Sequence, residues 1–233
     1  MKRLLLLIAI FLAACEPLEK PMGIIEGPFL IRDGVYFKQS TNKHVTGEIR
    51  TFHENGQLHE SAHFRDGIKT GLNEFFSDSG LLSVSVMYKN GLKEGIEERY
   101  NSDGALRWVI TNAKDKRNGP FVYYKNSGGI YHKTEGHYLN DVRHGSWTSF
   151  YPDGKKGSVS NYLNGKSNGV FETYKTDGQV VTSWECEKGK PANITPINDT
   201  PPWEWDEQDR IFHQLSLDGF HDLCASGYPN SID

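Results

Sequence analysis

The sequence lacks the short motifs of the common enzyme and metal-binding classes. It has no Gly-x-Ser-x-Gly nucleophile motif, no phosphate-binding glycine loop before a helix and no Asp-x-Asp-x-Asp-Gly calcium loop. It has no Cys-x-x-Cys or His-Glu-x-x-His spacing, and His59 and His63 would lie about 13 Å apart along a strand. Its net charge of −4 does not favour nucleic-acid binding. These absences predict a protein that is not an enzyme and that has no cofactor, metal site or nucleic-acid partner.

Apolar residues are also scarce. They make up 36% of the 233 residues, and the mean hydropathy is −0.59, so we do not expect a large globular core. Glycine is abundant instead, with 24 residues. This balance favours a turn-rich β structure in which each unit contacts only its neighbours.

A repeat of about 24 residues organises most of the chain. Its copies begin at glycines spaced by 24, 24, 24, 26 and 24 residues: Gly47, Gly71, Gly95, Gly119, Gly145 and Gly169. An aromatic residue follows each glycine by five residues: Phe52, Phe76, Tyr100, Tyr124, Phe150 and Tyr174. Turn pairs such as Asn55-Gly56 recur nine residues after each start. The pattern predicts an all-β fold, an elongated antiparallel array of about six β-hairpins with atypical end caps.

Two positions of the repeat are aromatic-rich. We number positions from the copy glycine, so that Phe52 is at position 5. Position 17 holds, allowing for a two-residue insertion in the fourth copy, Phe64, Tyr88, Asn112, Tyr138, Tyr162 and Cys186. We expect the rings of positions 5 and 17 to meet across strands as a packed stripe; the alternative is a ligand-binding set. Asn112 interrupts the stripe and Asp115 and Asp141 replace turn glycines, so we expect irregular joints there.

Residues 1–14 have the pattern of a lipoprotein signal peptide. Two basic residues precede an apolar run from Leu4 to Leu12 that is too short to span a bilayer. Leu12-Ala13-Ala14-Cys15 resembles the lipobox of bacterial lipoproteins, which implies that acylated Cys15 anchors the chain in the lipid bilayer. Because Glu16 follows, and not Asp, the resemblance implies the outer membrane of a bacterial cell envelope. The alternative is an ordinary signal peptide with an incidental cysteine.

The flanks of the repeats are predicted to be a tether and two caps. Residues 15–28 are rich in Pro and Gly and predict a flexible tether. Phe29–Arg32 and Val35–Lys38 predict a hairpin without the repeat spacing, the N-terminal cap of an array covering residues 29–189. Residues 190–233 contain eight acidic and two basic residues, five prolines and two tryptophans. Their apolar content predicts a C-terminal cap, with a short helix within Asp206–Leu217 and with Trp203 and Trp205 packed on the last copy.

Two cysteines remain besides Cys15. Cys186 takes an aromatic position of the last copy and should face the packed side, and Cys224 lies in the C-terminal segment. Because an exported chain meets an oxidising compartment, we expect a Cys186–Cys224 disulfide. Two buried free thiols are the alternative.

The repeat resembles the bacterial variant of the MORN repeat over roughly residues 29–189. The resemblance is clearest in GEIRTFHENGQLHESAHFRDG, GLNEFFSDSGLLSVSVMYKNG and GVFETYKTDGQVVTSWECEKG. It implies a scaffold. Together with the lipobox-like segment, it predicts a non-catalytic binding or scaffolding lipoprotein whose exposed sheet face meets a protein or an envelope polymer. Relatives described as antitoxin-like keep a surface-tethered inhibitor or immunity protein open. A third hypothesis is an enzyme acting on cell-wall glycans, for which Glu74, Glu98 and Glu172 at position 3 would supply carboxylates.

Overall fold

The computed structural model describes residues 23–25, 27–127 and 130–196, together with Cys224. These residues contain β-strands and turns but no helix, which confirms the predicted all-β class. The strands are β1 Phe29–Arg32, β2 Val35–Lys38, β3 Lys43–His44, β4 Gly47–Phe52, β5 Leu58–Arg65, β6 Ile68–Lys69, β7 Gly71–Phe76, β8 Leu82–Lys89, β9 Leu92–Tyr100, β10 Leu106–Ala113, β11 Lys116–Ser127, β12 Ile130–Leu139, β13 Val142–Phe150, β14 Lys156–Leu163, β15 Lys166–Ser167, β16 Gly169–Tyr174, β17 Val180–Glu187 and β18 Lys190–Pro196.

The repeats form one antiparallel sheet of 15 strands, from β4 to β18. The two-residue strands β6 and β15 pair with β5 and β14, and the other 13 strands follow one another in chain order. Since neighbouring strands lie about 4.8 Å apart, this row of strands is about 58 Å long. The predicted array of antiparallel hairpins is therefore confirmed.

The turns between copies stack on one another. In Asn90-Gly91 both residues have positive φ, 53° and 81°, which is the geometry of a tight hairpin turn. The Gly91 N–H donates to the carbonyl of Lys69 in the preceding turn, at 2.9 Å. Each copy is thus hydrogen-bonded to the next through its turn as well as through its strands.

The turns without glycine keep the same geometry. Lys114-Asp115 has φ of 51° and 65°, and Asn140-Asp141 has 50° and 70°. The expectation of irregular joints is therefore wrong for these turns. Asp tolerates positive φ, and here its side chain adds a bond: the carboxylates of Asp115 and Asp141 accept the N–H groups of Lys93 and Arg117 at 2.7 and 2.9 Å.

The packed stripe runs along position 2 and not along position 5. In the first hairpin Gly47 lies opposite Phe64 and Ile49 opposite Ala62, so positions 0 and 2 face positions 17 and 15. A bulge follows position 4, and Phe52 lies opposite Leu58, about 17 Å along the strand from position 17. The expected meeting of positions 5 and 17 is therefore wrong. The side chains buried at position 2 are Ile49, Asn73, Glu97, Phe121, Trp147 and Phe171.

Two apolar clusters lie on this packed face. The first contains Val45, Ile49, Ala62 and Phe64. The second contains Trp108, Ile110, Phe121, Tyr138, Trp147, Tyr162, Phe171, Cys186 and Cys224. Between them lies a polar section formed by the buried side chains of Asn73, Glu97 and Asn112.

The N-terminal end of the array is covered by two elements. Strands β1–β3 form a separate sheet, and the Tyr36 ring from β2 packs at a tilt against that of Phe64, with ring centroids 4.4 Å apart. Residues 23–25, within the predicted tether, pair with β4: the Ile25 N–H donates to the carbonyl of Glu48 at 2.7 Å. This pairing occupies the edge of β4, which would otherwise expose unpaired backbone groups.

The C-terminal end differs from the expected boundary, because the sheet continues past Gly189. Strand β18 pairs with β17 from Glu187↔Lys190 to Thr182↔Pro196. The predicted signal peptide, the acylation site Cys15, the helix within Asp206–Leu217 and the tryptophan contacts lie outside the described residues. The described part of the chain contains no helix long and apolar enough to cross a membrane.

Candidate functional site

A notch of about 460 Å³ opens on the packed face beside the polar section. At its base Glu97, 3% exposed, accepts hydrogen bonds from Lys93 Nζ at 2.9 Å and Asn112 Nδ2 at 3.0 Å. Arg99 Nε lies 3.5 Å from the same carboxylate, and its guanidinium covers the Trp108 ring at 5.2 Å. Glu97 is therefore a buried carboxylate whose oxygens are engaged by neighbouring donors. Because Lys93 precedes Gly95, the arrangement joins the third copy to the second.

Basic side chains also cover the aromatic rings of the packed face. Arg117 lies 4.4 Å from the centre of the Tyr138 ring, and Arg143 lies 4.4 Å from that of Trp147. Such cation–π contacts stabilise the fold while the long side chains exclude water from the rings. Sequence reasoning missed this role, although Lys69, Lys93 and Arg117 recur at position 22 of the first three copies.

The aromatic residues of position 5 lie on the opposite, outer face. We call Phe52, Phe76, Tyr100, Tyr124, Phe150 and Tyr174 the aromatic row. Phe52 is 62% exposed, and the other five rings are part-exposed. The Tyr100 hydroxyl donates to Glu98 at 2.8 Å, which places positions 3 and 5 on one face. Successive residues of a strand point to opposite faces, so position 2, which is next to position 3, points to the packed face.

Lys133 lies between two members of the aromatic row. It is opposite Tyr124 on one side and Phe150 on the other, with its Nζ 4.7 Å from the centre of the Phe150 ring. Its ammonium group also pairs with Glu135 at 2.7 Å. The row thus combines ring faces with charged groups that remain in contact with solvent.

A second cleft, of about 610 Å³, lies between Tyr100 and Tyr124, at the edge of the sheet that carries the turns within the copies, such as Asn55-Gly56. Its other lining residues are Asn101, Ser102, Asp103, Arg107, Tyr123 and Lys125. Amide, hydroxyl, carboxylate and cationic groups therefore surround a space bounded by part-exposed phenol rings. Pockets that combine ring surfaces with a few polar groups are typical of ligand-binding sites.

Two tyrosines of the row are held by carboxylates of position 3. Burial and the hydrogen bond to Glu98 raise the pKa of Tyr100 to about 12. Burial and the hydrogen bond to Glu172 likewise raise the pKa of Tyr174 to about 12. Both hydroxyls therefore stay protonated at neutral pH and donate to their carboxylates. These bonds fix the orientation of the two rings.

The carboxylates considered for catalysis lie in a row across the sheet. Glu74 lies opposite Ser85, which in turn lies opposite Glu98, so two strand spacings separate the two glutamates. Glu98 is engaged by the Tyr100 hydroxyl. Within the described residues, no three His, Cys, Asp or Glu side chains are grouped so that they could hold a metal ion.

The structure joins Cys186 and Cys224 in a disulfide, with Cα atoms 5.8 Å apart and a separation of 38 residues in the chain. Both side chains are buried, at 2% and 5% exposure, within the larger apolar cluster.

All six copy glycines have positive φ: Gly47 148°, Gly71 66°, Gly95 107°, Gly119 135°, Gly145 70° and Gly169 106°. At Gly119 a Cβ would also lie 2.8 Å from the Cβ of Thr111. The backbone at Gly119 therefore has no room for a side chain, whereas the positive φ is common to all six copies and accounts for the recurring glycine.

Comparison with known families locates the repeat in two places. A model described as the MORN repeat variant matches residues 45–66 and 143–164. Both matches begin two residues before a copy glycine, Gly47 and Gly145, so they have the same phase as the hairpins. Repeats of this family are generally binding or scaffolding modules. No curated protein matches the chain.

Proposed function

We propose that this protein is a lipoprotein of the bacterial cell envelope that acts as a non-catalytic binding scaffold. The observation that carries this proposal is the aromatic row, which presents one part-exposed ring per hairpin on the outer face of the sheet. Apolar rings at regular intervals on an exposed face favour a binding role, because an array that only supported itself would bury them.

The shape of the array favours a partner that is extended or that repeats. Each hairpin offers the same side-chain position, about two strand spacings from the last, so a partner can make several equivalent contacts. An envelope polymer or an elongated protein meets this requirement. The turns between copies and the packed face are less suited, because their groups are bonded within the array.

The anchor is supported by the lipobox-like Leu12-Ala13-Ala14-Cys15 and by the Pro- and Gly-rich residues that follow. Metabolic labelling with a clickable palmitate should mark the wild-type protein and not Cys15→Ser, and the labelled protein should fractionate with the outer membrane. Equal labelling of the two proteins would contradict acylation at Cys15.

The binding surface is tested by photo-cross-linking in intact cells. A benzoylphenylalanine at Phe52, 62% exposed in the aromatic row, should capture the partner. The matched control is the same group at Leu163, which is 48% exposed but lies outside the row. Capture of the same partner with equal yield at both positions would show that the row is not the binding surface.

A further inference from the structure

The aromatic row has a spacing that can be compared with that of a ligand. One copy advances the sheet by two strands, so corresponding rings recur about every 9.6 Å. The cleft of about 610 Å³ between Tyr100 and Tyr124 spans one such interval. A ligand that fits the row must therefore present the same surface again at this distance.

An extended β-1,4-linked pyranose chain has this property. Each sugar is rotated by about half a turn relative to the last, so the same ring face and the same substituents recur at every second sugar. The length of two such sugars is close to two strand spacings. An α-1,4-linked chain of the same sugars coils and does not repeat in this way.

The chemistry of the cleft also suits a sugar. Pyranose rings have apolar C–H faces, which pack against aromatic rings, and hydroxyl edges, which require hydrogen-bonding partners. The phenol rings of Tyr100 and Tyr124 supply the aromatic faces, and Asn101, Ser102 and Asp103 supply the hydrogen-bonding groups. Carboxylate and amide oxygens accept from hydroxyl groups, and the amide nitrogen donates to them.

We propose that the aromatic row binds an extended β-1,4-linked glycan, with one disaccharide per hairpin and with the Tyr100–Tyr124 cleft as its central subsite. Such a glycan is the repeating envelope polymer of the proposed scaffold function, on which this assignment rests. Neighbouring strands of a sheet twist by about 20–25°, so the register between sugars and rings holds over a few copies. The gain in affinity with chain length therefore levels off after a few disaccharides.

The test is calorimetric titration of the full-length protein in a non-glycosidic detergent. Cellohexaose and chitohexaose are the β-linked probes, and maltohexaose is the α-linked control. Binding of at least one β-linked hexamer without binding of maltohexaose supports the assignment. In the series of the hexamer that binds, affinity should also rise from the disaccharide to the tetrasaccharide, because each added disaccharide reaches a further copy. Equal binding of α- and β-linked hexamers, or binding of neither, would overturn it.

The variants separate ring stacking from folding. Tyr124→Ala should lower the affinity for the bound hexamer about tenfold, and Tyr124→Phe should retain it, because the ring face remains. Phe37→Ala, in the separate N-terminal sheet, is the control and should bind as the wild type. Wild-type affinity of Tyr124→Ala would refute the subsite.

A second variant covers the case in which Tyr124→Ala does not fold. Phe52→Ala removes a ring that is 62% exposed, so the fold is retained. It should reduce retention on the insoluble polymer of the hexamer that binds, which is cellulose for cellohexaose and chitin for chitohexaose. Unchanged retention would count against the row. If cross-linking from Phe52 captures a protein while no β-linked oligomer binds, the glycan assignment fails and the scaffold function stands. If the group at Leu163 captures the same partner with equal yield, the aromatic row is not the binding surface and the glycan assignment fails with it. If neither position captures a partner and no β-linked oligomer binds, the scaffold function itself fails.

Discussion

Replacing Phe121 by alanine tests which of the aromatic positions forms the core. Phe121 is 3% exposed and contacts three rings, those of Trp108, Tyr138 and Trp147, at centroid distances of 6.5, 5.4 and 5.3 Å. Truncation of a phenylalanine in such an environment costs about 3–5 kcal/mol, because transfer free energy is lost and a cavity remains. Phe52→Ala is the matched control, and at 62% exposure it should change the free energy of unfolding by less than about 0.5 kcal/mol.

The assay is guanidinium unfolding followed by tryptophan fluorescence. Trp108 and Trp147 belong to the same cluster as Phe121, so their fluorescence reports on it directly. If guanidinium unfolding has a slope of about 4 kcal/mol per molar, a loss of about 4 kcal/mol lowers the midpoint by about 1 M. Reductant is left out so that the disulfide stays intact in both variants. If Phe121→Ala and Phe52→Ala had the same unfolding midpoint, whether both were near the wild-type value or both far below it, the conclusion that position 2 forms the core would be refuted.

Three further predictions concern single features of the fold. Gly136→Ala would place a Cβ 2.2 Å from Cδ2 of Trp147, so it should lower the thermal midpoint clearly in a melting experiment. Cys186→Ser removes the disulfide between residues 38 apart in the chain and should lower the free energy of unfolding by about 4 kcal/mol in the chain-entropy model. Non-reducing peptide mapping of the wild type that recovers both cysteines as free thiols would contradict this prediction. Burial raises the pKa of Glu48, but hydrogen bonds from Arg50 and Ser61 outweigh it and bring the pKa below its ordinary value. The resulting stability is present at neutral pH and is lost as the pH falls below about 4, so Glu48→Gln should flatten this part of the pH–stability curve measured by denaturant unfolding.

The sequence predicts the hairpins well because their determinants are local. The glycines that begin the copies and the Asn-Gly and Asp-Gly turns act within a few residues, and the strands between them follow from alternation. The phase of the hairpins, the all-β class and the order of strands were therefore accessible from the pattern alone. Asp115 and Asp141 were misjudged because glycine is the commonest residue with positive φ and is not the only one.

It is harder to predict from the sequence which repeat position forms the packed stripe. A bulge after position 4 shifts the pairing, and only the register shows that position 5 lies opposite position 11. Position 2 is not recognisable as a core position from the sequence, because Asn73 and Glu97 occupy it in two copies and break the apolar pattern. The burial of Glu97 is recognisable only when its partners are seen beside it: Lys93 lies on the same strand, but Asn112 comes from the neighbouring strand β10.

Because strand order in the sheet is chain order, the direction of synthesis is also a possible direction of assembly. A chain delivered from its N-terminus can complete one hairpin and then use its free edge as a template for the next strand. Contacts made in this way are close in sequence, and such folds form quickly because little loop entropy is lost at each step. The closing step is of another kind: the Cys186–Cys224 bond joins residues 38 apart and can form only when the final strands have been delivered. The disulfide is therefore the last bond to form, in an array whose strands are already paired.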